Sequence, residues 1–236
     1  MRTDGLNLVI PEKADPERSR VADSWRAHGG TVTQIGRFWD PPELDRAAIR
    51  IYANDTFALV LAQKLGLRLV SPDDDLLLRL PAEHIGRRIR IVNLRDACRL
   101  CYPTFVKPVV PKQFRAGVYE TWPQLETECS GLNGEVRIYE SEVVGFDAEV
   151  RSFILRGQVQ DAAVYEGSAP RRRAMEFLSA VACSPALPAT CVLDVGYVAR
   201  RGWMVIEANA AWGAGLNGCN PDKALGSIAH ATQVAA

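Results

Sequence analysis

The run from Asp194 to Asn209 limits the possible folds more than any other stretch: Asp-Val-Gly-Tyr-Val-Ala-Arg-Arg-Gly-Trp-Met-Val-Ile-Glu-Ala-Asn. Two apolar, β-rich runs flank the polar centre Arg200-Arg201-Gly202, a hairpin signal. A turn centred between Arg200 and Arg201 sets position 194 opposite position 207, and a bulge at Gly202 would shift that register by one. Glu207 and Asn209 lie two apart on the second strand and share a face, whereas Met204, Ile206 and Ala208 point the other way, into a core. Asp194, Glu207 and Asn209 then meet on one face of a sheet. Two carboxylates and an amide oxygen there repel unless something positive sits between them, and hard oxygen ligands of this kind suit Mg²⁺. A plain hairpin with a solvent-facing polar side accounts for the same residues, so the rest of the chain has to decide.

With 236 residues the chain is long enough for one domain with a full core, or for two lobes sharing a cleft. Lys plus Arg equals Asp plus Glu, 28 of each, which leaves no electrostatic footprint for nucleic acid or an anionic membrane. Met-Arg-Thr-Asp-Gly is not followed by a signal-peptide apolar core. No apolar run approaches the roughly 20 residues that span a bilayer. The expectation is a cytoplasmic protein without nucleic-acid or membrane partners. Of the six cysteines only Cys98 and Cys101 form a C-x-x-C, with no second pair or His nearby. That argues against a zinc site and a disulfide framework, and for free thiols.

Taken in order, Leu6–Ile10, Thr31–Arg37, Ile49–Ala53 and Leu67–Val70 read as strands. Helices fall at Pro16–His28, from Asn54 or Asp55 to Leu65, and from Ser71-Pro72-Asp73 to Leu80. This alternation is that of a small α/β lobe over residues 1–80. Beyond it the style changes. Arg88–Val92, Thr104–Val110, Lys112–Val118 and Val136–Tyr139 read as strands, Asn93 caps a short helix, and Thr121-Trp122-Pro123 begins another. A polar crossing over Glu140–Gly145 leads into a hairpin, Ala148–Leu155 with Gln158–Tyr165, turning at Arg156-Gly157. A helix to Ala182, the opening hairpin and a helix capped by Asn220 complete an α+β pattern.

Lys107 sits inside the apolar strand Phe105-Val106-Lys107-Pro108 and needs an anionic partner or a shifted pKa. Lys112 follows a Pro-bounded turn, and Arg151 lies on a strand near Glu149 and Asp147. Three such cations facing an acidic, metal-suited hairpin point to a polyphosphate, with Lys as a point charge and Arg as a bidentate fork.

In this order the residues resemble the ATP-grasp superfamily over roughly Phe105 to Asn217. Phe-Val-Lys-Pro at 105–108 resembles the strand whose lysine binds nucleotide phosphates. Tyr139-Glu140-Ser141-Glu142-Val143-Val144-Gly145-Phe146-Asp147 resembles the hinge between the two subdomains. Asp194 and Glu207 have the spacing of two family metal carboxylates, and Glu207-Ala-Asn209 with Gly213 is similar to E-x-N-x-x-x-G. Lys112-Gln-Phe114 and Glu149-Val-Arg151-Ser-Phe153 add a likeness to the R2K branch, named for two arginines and a lysine. Arg151 matches one arginine; Arg88 and Arg171-Arg172-Arg173 are candidates for the other. The family's glycine-rich phosphate loop is replaced by Val109-Val110-Pro111-Lys112-Gln113.

The resemblance implies an α+β ATP-grasp fold, two subdomains clasping the nucleotide over residues 81–236 with a hinge at 140–147, preceded by the 1–80 lobe. It implies ATP and Mg²⁺. Glu140, Ser141, Glu142 and Val143 would read adenine mainly through backbone, and Asp147 would take the ribose hydroxyls. Lys107, Lys112 and Arg151 would neutralise phosphates, with Lys112 and Arg151 the catalytic cations. Asp194, Glu207 and Asn209 would hold the metal. The implied activity is a carboxylate–amine ligase that joins small-molecule or peptide substrates through an acyl phosphate. A non-catalytic ATP-binding module and a kinase stopping at phosphoryl transfer are the alternatives. A homodimer is among the open oligomeric states. The loop holding Gly213, Gly215 and Gly218 is either an acceptor-binding loop or a set of turn glycines. Asp194→Asn and Glu207→Gln are both expected to abolish turnover with little loss of fold.

Overall fold

The structure, a computed structural model, describes residues 2–235. The first part alternates: β1 (Asn7–Pro11), α1 (Pro16–Ala27), β2 (Thr31–Ile35), β3 (Ile49–Ile51), α2 (Asp55–Leu65) and β4 (Leu67–Leu69). β1 is the central strand of a parallel sheet ordered β2-β1-β3. Local chemistry sets the helix ends. The Asp15 carboxylate accepts from Arg18 N at 2.8 Å and Pro16 stands in the first helical turn of α1. Asn54 caps α2 through Phe57 N at 3.1 Å, and Gly66 closes it at φ 60°. The helix expected from Ser71 to Leu80 shrinks to two single turns, α3 (Leu76–Arg79) and α4 (Ala82–Ile85). Asp75 makes no side-chain cap, Asp73 and Asp75 pair with Arg79 instead, and Pro81 interrupts the ladder.

A second unit comes next: β5 (Ile89–Asn93), a 3₁₀ turn at Leu94–Arg99, β6 (Thr104–Pro108), β7 (Gly117–Tyr119), α5 (Trp122–Glu128) and β8 (Arg137–Ser141). Its four strands form an antiparallel sheet ordered β5-β8-β6-β7. The strand expected over Lys112–Val118 is a loop for most of its length, with Lys112 itself at φ 68°. Residues 142–147 then cross to β9 (Ala148–Leu155) and β10 (Gln158–Gly167), followed by α6 (Arg171–Ala182), β11 (Thr190–Val198), β12 (Gly202–Asn209), α7 (Pro221–His230) and β13 (Thr232–Val234). The second antiparallel sheet is ordered β10-β9-β11-β12, while β13 returns to pair with β4. Arg156 and Gly157 both have positive φ, 49° and 76°, as a two-residue hairpin turn requires.

Three cores hold these layers. Leu8, Ile49 and Ile51 of the first sheet and Trp25 of α1 share a core with Phe153, Val192, Leu225 and Ile228, so α7 packs into that same core. Val150, Ile154, Leu178 and Val195 pack between the last sheet and α6, joined by Leu76, Leu77 and Leu80. Val106, Leu125 and Ile138 pack beneath the β5–β8 sheet. Each fully buried aliphatic side chain contributes about 1.5–3 kcal/mol against exposure. All six cysteines are free. Among the described residues no helix is long and apolar enough to cross a membrane.

Asp194 does stand opposite Glu207, by a route that uninterrupted hairpin pairing does not include. Val198 pairs with Gly202, so the turn is centred on Arg200, and a bulge at Ile206 restores the offset before Asp194. The bulge also flips the alternation. Trp203, Val205 and Ala208 face the core beneath the sheet, whereas Met204 pairs with Gly196 on the face of Glu207, where it is fully buried; its expected facing is corrected and its expected burial holds, while Ile206 is taken up by the bulge. On that face Gly196 receives the Phe146 ring from the 142–147 crossing, where any Cβ would overlap it.

Candidate functional site

The two antiparallel sheets face each other across a cleft of about 770 Å³, lined by Lys107, Tyr139, Lys112, Asp55, Glu207, Asn209 and Trp212 among others. Pleating sorts the side chains of the β5–β8 sheet. Lys107 pairs in register with Tyr139 and faces the cleft. Val106 pairs with Glu140 and faces the opposite core. The Lys107 ammonium lies 3.7 Å from Glu207 Oε2 and 5.5 Å from the Tyr139 ring centre. Burial lowers its pKa from the ordinary lysine value, Glu207 opposes that, and the nearby Arg87 charge adds to it.

Across the cleft, Arg151 on β9, Asp194 on β11 and Glu207 on β12 stand side by side in one row. Arg151 grips Asp194 as a fork, Nε to Oδ1 at 2.8 Å and Nη2 to Oδ2 at 2.6 Å, and its Nη1 donates to Gly215 O at 3.0 Å. Asp194 is 2% exposed. Burial pushes its carboxyl pKa up and the fork pulls against that. For Arg151 burial also opposes the charge, but the Asp194 contacts outweigh it and raise the guanidinium. Asn209 Nδ2 donates to Glu207 Oε1 at 2.8 Å and to Asp194 Oδ2 at 3.4 Å. The positive end of one amide dipole thus lies between two carboxylates. Beside this row Tyr165 donates its hydroxyl to Glu149, and the Arg151 guanidinium lies 5.9 Å from the Tyr165 ring centre.

Of the other residues expected from the sequence, Glu140 is buried on the side away from Lys107, held by Arg90 Nε at 2.8 Å, Arg88 Nη2 at 3.3 Å and Thr104 Oγ1 at 3.3 Å. Ser141 Oγ accepts from Arg87 Nε at 3.2 Å. Glu142 is gripped by Arg201, Nη1 at 2.6 Å, and this contact together with Arg88 N lowers its carboxyl pKa. Val143 is exposed, and its backbone has no hydrogen-bond partner among the described residues. The Asp147 carboxylate accepts from Ala199 N at 2.7 Å, which ties the crossing to the β11–β12 turn. Lys112 reaches the first lobe, with Nζ 2.5 Å from Asp55 Oδ2.

Neither candidate for the second arginine faces the cleft. Arg88 serves Glu140, Arg171 pairs with Asp161, and Arg172 pairs with Glu176. Arg87, which sequence reasoning did not name, lies near enough to Lys107 for its charge to act there. Its Nη1 donates to Val205 O at 2.6 Å and its Nη2 to Ile206 O at 3.2 Å, at the bulge. Burial and then Arg201 lower its pKa, against Glu142. It forms no ion pair with a carboxylate among the described residues. The available signal was position alone: Gly86-Arg87-Arg88 precedes β5.

The sequence matches the family model described as "ATP-grasp domain, R2K clade family 2" over residues 84–226. No curated protein matches it. Three solved structures share the fold over most of the chain. A RimK domain ATP-grasp protein from Sphaerobacter thermophilus is 16% identical, with 95% of this chain and 98% of that one covered at a TM-score of 0.61. The D-cycloserine synthetase DcsG is 13% identical, with the same coverages and TM-score. N5-carboxyaminoimidazole synthase from Aspergillus clavatus, in complex with ADP and an aminoimidazole ribonucleotide, is 11% identical, covering 96% and 77% at a TM-score of 0.61.

Proposed function

The chain belongs to the ATP-grasp domains of R2K clade family 2, and from that premise we propose that it is an ATP- and Mg²⁺-dependent carboxylate–amine ligase acting through an acyl phosphate. One observation carries the reading: Lys107 and Glu207 approach within 3.7 Å from facing sheets, with Asp194 and Arg151 in the Glu207 row and Asn209 next to it on the same face. That is a basic strand opposed to an acidic one across a cleft. We divide the chain into a lobe at 1–80 and an ATP-grasp domain at 81–236 hinged at 140–147.

In this reading Lys107 neutralises phosphate oxygens. Arg151 has five N–H donors and uses three on Asp194 and Gly215, which leaves two for a phosphoryl group. Lys112, on the loop above the cleft, leaves Asp55 to cover the phosphates. Glu140, Ser141 and Glu142 shape the adenine edge, and the free backbone of Val143 reads it. Asp147 takes the ribose, and Arg87 stands as the second clade arginine. The donor set suits Mg²⁺: Asp194 and Glu207 share one amide N–H₂ where a cation would sit, and turning Asn209 over presents its oxygen. Bound there, the ion supplies charge neutralisation to a phosphoryl group in transfer. The protein residues contribute positioning and fixed charge. The substrates are a small-molecule or peptide carboxylate and an amine.

Mg-ATP incubated with pools of amino acids and peptides is expected to release phosphate only when an acceptor pair is present, with a product mass equal to the two substrates minus water. A phosphorylated product would identify a kinase. Tight nucleotide binding without stimulated release would favour a binding module. That second reading draws on Asp194 and Lys112 being occupied by Arg151 and Asp55.

Lys107 also gives a pH signature. Its lowered pKa means that the ammonium is lost at a lower pH than in an exposed lysine, and phosphate affinity goes with it. ADP affinity, followed by calorimetry from about pH 7 to about pH 10, is expected to weaken toward the alkaline end. Lys107→Arg, which stays charged, is expected to flatten the profile. Identical profiles would remove Lys107 from the phosphate site.

A further inference from the structure

The geometry points to Glu17, in the first lobe and outside the family match, as a positioning residue for the Arg151–Asp194 pair. Glu17 lies in the first turn of α1, and its carboxylate spans two successive backbone amides of the loop after β12. Leu216 N donates to Oε2 at 2.9 Å and Asn217 N to Oε1 at 2.9 Å. No lysine or arginine pairs with it among the described residues. Among the described residues its hydrogen-bond partners are those two amides alone.

Two features of the loop fit this clamp. Asn217 is at φ 44° and Gly218 at φ 85°, so the backbone leaves the clamp through left-handed residues that need holding. Gly215 has no side chain where Glu17 Oε2 passes, and a Cβ there would crowd it at 2.5 Å. The loop is tied to the first lobe further back by Ala53 N to Trp212 O at 2.9 Å and Tyr52 Oη to Ala214 O at 2.8 Å. Those two contacts stop short of Gly215. Glu17 fixes the two residues after Gly215, so the Gly215 carbonyl is set between anchors. That carbonyl receives Arg151 Nη1 at 3.0 Å, and Arg151 in turn orients both oxygens of Asp194. The connection runs from α1 through the loop to the guanidinium and ends on the carboxylate proposed for the metal. It explains why the first lobe belongs to the site although it supplies no group to the phosphates other than the partner of Lys112.

The test uses the full chain. Glu17→Ala leaves a carboxylate-sized gap against two amide donors, and sodium formate is the probe that fills it. In ¹⁵N spectra the Leu216 and Asn217 amides of this variant are expected to shift saturably with formate and not with sodium chloride. The Arg151 Nε–H signal is expected to broaden in the variant and to sharpen as formate binds. This spectroscopic arm needs no substrate, so it stands apart from the ligase reading. The kinetic arm rests on that reading: turnover is expected to fall on the order of 10²-fold with little change in the KM for ATP, and formate is expected to restore part of it. Glu17→Gln, which keeps the size and one acceptor, covers the case in which the alanine variant does not fold; its Arg151 signal is expected to be broader than the parent's. A folded variant with an unchanged Arg151 signal, or a loss that formate leaves untouched, would overturn the assignment and leave Glu17 as a loop cap only.

Discussion

Glu207→Gln is expected to lower Mg-ATP-dependent turnover by about 10²- to 10³-fold, the range seen when one fixed charge-stabilising group is removed from a transition state. The same variant is expected to melt within about 2 °C of the parent, as substitutions outside buried networks usually do. The structure separates these effects. The Glu207 side chain is 39% exposed and touches Lys107 at 3.7 Å and Asn209 at 2.8 Å, so a glutamine of the same shape keeps the amide contact and removes only charge. Lys107 then loses its single opposing carboxylate and its pKa falls further, a consequence confined to the cleft. Two measurements decide the matter: a Mg²⁺ titration at fixed ATP, in which the variant should need more metal, and a melting curve. Full activity at the parent's Mg²⁺ requirement would remove Glu207 from the catalytic row.

The sequence made the β11–β12 face legible because hairpin pairing is local arithmetic and side chains alternate with a period of two. Even so, the Asp194–Glu207 pairing arises from a turn centred one step away and a bulge at Ile206 that compensates for it. The register could be read, but the facing of Met204 and Ile206 could not. Lys107 was legible as a lysine inside an apolar strand. Arg87 was not, because it lies before β5 and only its contacts with Ser141 and with the Val205 and Ile206 carbonyls of the distant β12 place it. Lys112 reads from the sequence as part of a strand over Lys112–Val118, but a loop carries it to Asp55, 57 residues earlier in the chain. Contacts of that span, like those of Glu17 with Leu216 and Asn217, leave no periodic trace. The occupancy of Asp194 by Arg151 was hidden for a related reason. Both were assigned to a ligand, and only the adjacency of β9 and β11 shows that they first satisfy each other.

That adjacency changes what Asp194→Asn will do. The sequence alone suggested a variant that loses turnover and keeps its fold. In the structure Asp194 is 2% exposed and Arg151 12%, and the pair is joined by two charge-assisted hydrogen bonds. Removing one partner of such a pair strands the other charge away from water, at about 3–5 kcal/mol. At roughly 2–4 °C per kcal/mol for a chain of this size, Asp194→Asn is expected to lower the melting temperature by about 6–20 °C. Arg151→Met is expected to fall in the same range, since it leaves a buried carboxylate that burial alone already pushes toward protonation. The double variant Arg151→Met with Asp194→Asn leaves no stranded charge and is expected to lose less stability than the two single losses added together. Denaturant unfolding of all four proteins completes the cycle, with a coupling of about 2–3 kcal/mol between the sites expected for close, shared partners. Independent effects that simply add would mean the fork contributes nothing in solution. In that case Arg151 would be free for phosphate from the start, and the link from Glu17 through Gly215 to Asp194 would have nothing to hold.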